Sequence, residues 1–385
     1  MTPMTPMTAA GGASRREVTS EAELAEILAA DGPLAHRRIQ GLDLREHAPA
    51  LRTRADLDGL VVLGGTVPED LAAHLRAAGA LVFPTDPSVP VDPYRARLYR
   101  PEELYVGLTS GGYQATPDAR AYAWSRDARL AHDVHVTMLR AIHDDSMGDA
   151  LDEVLEGRST VGVMGGHALA RGTPAYAAAA ALGVGLAGAG HTVLTGGGPG
   201  AMEAASLGAW LRDPNDLPEA LAELAAEPGF AQDPTAWATV AMRLRIRLRA
   251  RYFPRVDHDA PPRAIGIPTW FYGHEPPQVF CDGIAKYFSN ALREDGLIRR
   301  CHAGVVVLPG AAGTVQEIFQ AITPMYYAPQ SATADQIPPL VLVGRQHWSI
   351  AVPVWRAIQA IAQERPMAHR IHLVDDVEDA LAVLA

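Results

Sequence analysis

A chain of 385 residues is long enough for two domains and a sizeable core, and its 48% apolar and 20% charged content is that of an ordinary globular protein. The net charge of -11 argues against a general binder of nucleic acid or of an anionic membrane. Two cysteines, Cys281 and Cys301, cannot build a disulfide framework or a four-cysteine metal site, so a reducing, cytoplasmic setting is expected.

The opening Met-Thr-Pro repeat has neither a basic region nor an apolar core, so residues 1–13 read as a disordered tail and not as a secretion signal. An amphipathic helix is expected over Glu21–Ala30. Strands are expected at Arg38–Leu44, Leu60–Leu63 and Leu81–Phe83, with a helix over Glu69–Ala78 between the last two. The proline-rich run Pro84–Pro101 reads as a loop, and Pro117–Glu156 as helical. Residues 14–157 are therefore expected to form an N-terminal α+β domain, whose role no motif indicates. His132 and His135, with Asp133 beside them, could face a metal at i, i+3, but no third ligand follows at a suitable spacing, and no metal site is expected.

From Thr160 strands and helices alternate. Strands are expected at Thr160–Met164, Thr192–Thr195, Ala264–Pro268, Val305–Leu308, Leu340–Val343 and Ile371–Val374. Helices are expected at Pro174–Ala189 and Gly200–Leu211, in an insertion over about 213–260, in a run ending at Arg293, from Val315, and near Ile350–Ala362. This is the pattern of a Rossmann-like, doubly wound parallel sheet over 158–385. The run Ala175–Ala189 is too rich in alanine and glycine to span a bilayer. Ligands of such sheets bind at the carboxyl ends of the strands.

Three glycine-bearing turns fall at those ends: Gly165-Gly166-His167, Gly196-Gly197-Gly198-Pro199-Gly200, and Pro309-Gly310-Ala311-Ala312-Gly313-Thr314. Small residues let backbone N–H groups approach an anion at a helix start, so Gly196, Gly197, Gly198, Pro199, Gly200, Gly310, Gly313 and Thr314 are candidates for holding a phosphate. Gly196, Gly198 and Ala201 also fit a dinucleotide fingerprint. That fingerprint wants an acid ending the next strand, whereas the next segment is helical, so a mononucleotide phosphate is preferred to NAD. Glu317 follows the third turn, in what reads as the first turn of a helix, where the helix dipole would keep it ionised.

The segment Gly196-Gly197-Gly198-Pro199-Gly200-Ala201-Met202-Glu203-Ala204 resembles the Gly-Gly-x-Gly-x-Met-Glu-Ala segment of LOG-type proteins. These are nucleoside 5′-monophosphate phosphoribohydrolases long mislabelled lysine decarboxylases. Pro309 to Glu317 resembles their Pro-Gly-Gly-x-Gly-Thr-x-x-Glu, and the two motifs occur in the family's order within Thr160–Ala385. The chain departs from the pattern at Ala311 and Gln316, and at Asn290-Ala291-Leu292-Arg293-Glu294, where the family has an Arg-Lys pair. With its extra N-terminal domain it is closer in size to bacterial nucleotide nucleosidases than to minimal members. The resemblance implies Arg293 and Glu317 as the catalytic pair, a nucleoside 5′-monophosphate as substrate, no cofactor, and at least a homodimer.

The chemistry agrees with these residue types. Cleaving a ribosyl N-glycosidic bond builds positive charge on the sugar, which an ionised carboxylate stabilises, and an arginine fork can hold phosphate or that carboxylate. Gly165, Met202, Glu203, Trp270, His274, Glu275 and Lys286 are further substrate-side candidates. Glu203 reads either as a second sugar-contacting carboxylate or as a helix acid. Trp270 and its neighbours read either as a base-stacking platform or as loop packing. Lys286, the only lysine, lies seven residues before Arg293 on what reads as one helix face. A decarboxylase would need it for a Schiff base with pyridoxal phosphate. Arg243, Arg245, Arg247, Arg249 and Arg251 form either a strip for an anionic effector or a solvated or subunit-contacting face. A non-catalytic nucleotide or cofactor carrier on the same fold is the alternative function.

Overall fold

The computed structural model describes residues 17–253, 260–271, 275–329, 331, 333 and 336–384. The 1–13 segment lies outside the described residues. The chain divides into two compact units, Met1–Ala96 and Arg97–Ala385.

In the first unit, β1 (Glu17–Val18), β2 (Arg38–Gln40), β3 (Val61–Leu63) and β4 (Leu81–Phe83) form a parallel sheet in sequential order. Helices Glu21–Ala29, Ala48–Thr53 and Glu69–Ala77 make the crossovers that parallel pairing demands. Val18, Leu24, Leu34, Ile39, Leu51, Leu57, Leu60, Val62, Leu71 and Leu75 close one apolar core. Strand and helix thus alternate here as they do again from Thr160 onward.

The second unit is built on a seven-stranded sheet in the order β11-β10-β9-β5-β6-β7-β8, with every pairing parallel. Its strands are β5 (Thr160–Met164), β6 (Thr192–Thr195), β7 (Ala264–Gly266), β8 (Gly283–Ile284), β9 (Gly304–Val307), β10 (Leu340–Val343) and β11 (Ile371–Val374). Every residue of β5, β6, β9 and β10 is buried, the mark of strands covered on both faces. The alanine-rich run is the crossover helix Pro174–Gly188. At Gly183 an added Cβ would stand 2.0 Å from the Ala205 carbonyl, so small residues here serve close packing on helix Ala201–Trp210. No helix among the described residues is long and apolar enough to cross a membrane.

Two sequence expectations change. The unit boundary falls at 96/97 and not at 157/158. The reason is that helices Pro117–Ser125 and Val134–Leu155 send Asp118, Asp144 and Asp152 into bonds with Lys286, Ser289 and Arg300. The helix expected to run up to Arg293 begins only at Asn290, capped by Ser289. Pro276, Pro277 and the extended Gly283–Ile284 pair break the earlier stretch. Lys286 therefore lies outside that helix and shares no helical face with Arg293.

Candidate active site

The strand order reverses between β5 and β9, which makes their carboxyl ends the switch point of the sheet. The Leu308 amide donates to the Met164 carbonyl at 2.9 Å, which brings the turns after both strands side by side. Gly165 has φ +87°, and an added Cβ would lie 2.3 Å from the Leu308 carbonyl, so only glycine fits. Gly200, at φ +73°, would meet the Gly166 carbonyl at 2.3 Å, and the Ala201 amide donates to that carbonyl at 2.9 Å. All three glycine-bearing turns thus meet on one edge of the sheet.

They are not equivalent. Gly197 to Gly200 are buried, and the Gly198 face is covered by Met202 Cε and the Glu275 carboxylate, 2.9 and 3.7 Å from where a Cβ would stand. Ala311, Ala312 and Gly313 are exposed at the start of helix Ala312–Tyr326, and nothing lies within 4 Å of a Cβ placed on Gly313. Ala311 is the N-cap with φ -112°, a conformation alanine adopts freely, so the missing motif glycine costs no backbone strain. Thr314 lies inside the first turn, with its hydroxyl 2.2 Å from where a Gly310 Cβ would be. The carbonyl of Gly310 accepts from Nε2–H of His347 at 3.0 Å. Nothing in the local sequence marks that histidine, which opens the short helical segment His347–Ala351 after β10.

Arg293 and Glu317 meet between these turns, with Nη1 to Oε1 at 3.6 Å and both side chains largely buried. Nη1 of Arg293 also lies 3.6 Å from the Cβ position of Gly196, so one guanidinium touches both motif regions. The helix begins at Ala312, which puts Glu317 in its second turn, beyond the reach of the dipole argument. Burial pushes the Glu317 carboxyl up to about 7, partly offset by Arg293 and reinforced by Glu294. The expectation of a permanently ionised carboxylate is thereby corrected. Gln316 donates Nε2–H to Glu294 at 2.5 Å. An acid at 316 would put a like charge there, and glutamine instead ties the two helices together.

The other candidates fall elsewhere. Glu203 is fully buried, with Arg171 donating Nε–H to Oε2 at 2.8 Å and a second N–H to Oε1, and Tyr176 donating its hydroxyl to Oε2 at 2.8 Å. It is the centre of a buried ion pair whose two carboxylate oxygens are taken up by Arg171 and Tyr176. Trp270 is buried, stacked on Phe288 at 4.5 Å and edge-on to Tyr99, so it packs the loop and offers no open ring face. Lys286 is 1% exposed, with Nζ 2.6 Å from Asp118 Oδ1, an oxygen that also accepts from Trp270 Nε1–H at 2.9 Å. Burial lowers the Lys286 pKa. An enclosed, ion-paired amine does not fit a Schiff-base role. Of the remaining candidates, Gly165, Met202 and Glu275 stay beside the site, and His274 lies outside the described residues.

Three further sequence readings can be set against the structure. The strand after the Gly196 turn, β7, runs on into Ile267-Pro268 with no acid at its end. In the arginine strip, Arg245 donates to the Val279 and Cys281 carbonyls and to Glu102. Arg247 pairs with Glu219 and Glu223, and Arg251 with Asp216. These three are committed to internal partners. His132 and His135 join no cluster able to hold a metal among the described residues, and Asp133 instead caps helix Val134–Leu155 through the Val136 amide at 2.9 Å.

Residues 257–384 match the family model described as possible lysine decarboxylase, and residues 158–213 match that of the SLOG cluster4 family. The LOG resemblance is borne out. The two matched segments hold all three turns with Arg293 and Glu317, and leave residues 214–256 and everything before 158 unmatched. A comparison with curated proteins finds no match. Among solved structures, the molybdenum cofactor binding protein of Rippkaea orientalis is similar at 16% identity over 59% of this chain and 95% of its own, with a TM-score of 0.35. The molybdenum cofactor carrier protein of Chlamydomonas reinhardtii is similar at 17% identity over 59% and 96%, with a TM-score of 0.33. Likeness at that level carries no argument about the site.

Proposed function

We propose that the LOG-type domain hydrolyses the N-glycosidic bond of a nucleoside 5′-monophosphate, giving free base and ribose 5-phosphate. The observation that carries this reading is the Arg293–Glu317 pair at 3.6 Å, set between an open helix start and a buried glycine turn at the switch point of the sheet. The phosphate belongs at the helix start Ala311–Thr314, where unpaired first-turn N–H groups and open space at Gly313 favour an anion. The turn at Gly196–Gly200 is less suited to it, because Glu275 puts negative charge beside Gly198; that carboxylate is placed to accept from ribose hydroxyls.

Arg293 has two roles in this scheme, holding Glu317 in place and offsetting negative charge as the phosphate docks. Ionised Glu317 stabilises the cationic character that grows on C1′ and O4′, and orients a water. The water oxygen bonds to C1′ as the C1′–N bond breaks. Its proton leaves through Glu317, and the departing base takes up a proton. The state that works is the ionised one, so turnover should climb with pH through about 7, where Glu317 titrates.

Supplying each common 5′-monophosphate alongside its parent nucleoside, and measuring free base, tests this reading. Release from at least one monophosphate and none from its nucleoside is the expected result. Calorimetric binding of a monophosphate with no base released would favour the carrier alternative. The oligomeric state that the resemblance implies is part of the same proposal, and sedimentation of the full chain checks it.

A further inference from the structure

Helix Val134–Leu155 precedes both LOG-type segments, yet it grips the helix that carries Arg293 at each end. At the N-terminal end, the Asp144 carboxylate accepts from the Phe288 amide at 2.8 Å through Oδ1 and from the Ser289 amide at 2.7 Å through Oδ2. Ser289 is the N-cap of helix Asn290–Arg299, and its carbonyl accepts the Arg293 amide at 3.1 Å. At the other end Arg300 donates Nε–H and Nη2–H to Asp152 at 2.7 and 2.8 Å, and Nη2–H also to the Gly148 carbonyl at 3.1 Å.

Asp144 is the more telling of the two. Its side chain is 2% exposed, and it holds two backbone N–H groups that no helix bond would satisfy. Its partner on the other side is His143, whose Nδ1 lies 3.2 Å from Oδ1 and whose Nε2 lies 2.8 Å from the Tyr99 hydroxyl. The chain of contacts Tyr99–His143–Asp144–Ser289–Arg293 is buried from Tyr99 to Asp144 and half-buried at the Ser289 cap, which is more machinery than a plain cap needs. At 3.6 Å, the Arg293–Glu317 separation is at the margin of a hydrogen-bonded ion pair, so a small displacement of the helix start alters it.

We infer that Asp144 is a positioning residue that sets where Arg293 meets Glu317, acting through the Ser289 cap; the inference rests on the proposed role of Arg293. Wild type, Arg293→Ala, Asp144→Ala, Asp144→Asn and Asp152→Ala, all as the full chain, are compared by base release and by amide hydrogen exchange over 288–293. Asp144→Ala is expected to lower kcat about 10- to 100-fold with KM little changed, the scale on which misplaced catalytic groups act. Asp144→Asn keeps one acceptor oxygen and is expected to recover most of that loss. Exchange at 288, 289 and 293 is expected to rise from wild type to Asn to Ala, and to stay near wild type there in Asp152→Ala.

A kcat per folded molecule equal to wild type in Asp144→Ala, with Arg293→Ala inactive, overturns the positioning role while leaving the hydrolase reading in place. Should Asp144→Ala fail to fold, Asp144→Ser, which also lacks the carboxylate, takes its place, and a wild-type kcat with faster exchange at 288–293 overturns it equally. If wild type releases no base, it is the hydrolase reading that fails. Exchange then judges the clamp alone, and unaltered protection at 288–293 in Asp144→Asn overturns it.

Discussion

Glu317 shows how a single residue can be placed correctly by a motif and still be misjudged electrostatically. Its carboxyl titrates at about 7 against an ordinary 4.5, so the folded state holds a proton that the unfolded chain has lost between those values. Folding stability therefore falls as pH rises through that window, and above pH 7 the cost approaches about 3 kcal/mol at about 1.4 kcal/mol per pH unit. Glu317→Gln removes the burden, so thermal unfolding should show it more stable than wild type at pH 8, with the gain shrinking towards pH 4. A gain of equal size at both pH values would argue against the titration. Two glycines separate fold from site by the same logic. Gly165→Ala forces a Cβ into the Leu308 carbonyl at φ +87° and should lower the melting temperature. Gly313→Ala meets nothing within 4 Å, so it should leave melting unchanged and raise KM for the monophosphate. Unchanged KM would place the phosphate elsewhere.

At the scale of elements, the strands were legible because fully buried parallel strands are short apolar runs bounded by glycine and proline. Thr160–Met164, Thr192–Thr195 and Leu340–Val343 appear with the bounds their composition implies, and the edge strand Ile371–Val374, half-buried, does so too. The stretch before Arg293 was not legible. Alanine, leucine and phenylalanine there suit a helix, but the chain is held extended by its β7 neighbour and by Asp118 and Asp144, which lie far back in the sequence. Long-range polar partners leave no local periodicity. The same holds for Glu203, whose motif position suggests chemistry until Arg171 and Tyr176 are seen to enclose it. Breaking such a buried pair by removing one partner costs about 3–5 kcal/mol. Glu203→Ala should therefore unfold at markedly lower temperature, and whatever stays folded should keep the pH dependence of turnover. A displaced pH profile would return Glu203 to the site.

For the molecule as a whole, the motif turns and the Arg293–Glu317 pair lie within Arg97–Ala385, whereas the matched family segments begin only at 158. A fragment of residues 97–385 is thus expected to fold cooperatively and retain base release. One starting at 158 loses Asp118, Asp144 and Asp152, leaving Lys286 and Arg300 buried without those carboxylates, and should be insoluble or inactive. Circular dichroism and turnover of the two fragments check this, and equal behaviour would mean that the 97–157 helices are dispensable. The arrangement explains why the doubly wound sheet could be read from the sequence while the limits of its domain could not: the helices that complete it contain no motif and contact it through single carboxylates and a few aromatic contacts.

The most direct test of the central claim is base release at pH 8 from a panel of nucleoside 5′-monophosphates by wild type and Glu317→Gln, side by side. The Arg293–Glu317 pairing predicts release by wild type from at least one monophosphate and a loss of at least about 100-fold in the variant, the scale of removing a group that stabilises transition-state charge. Equal release by both proteins, or intact monophosphates with both, would contradict it.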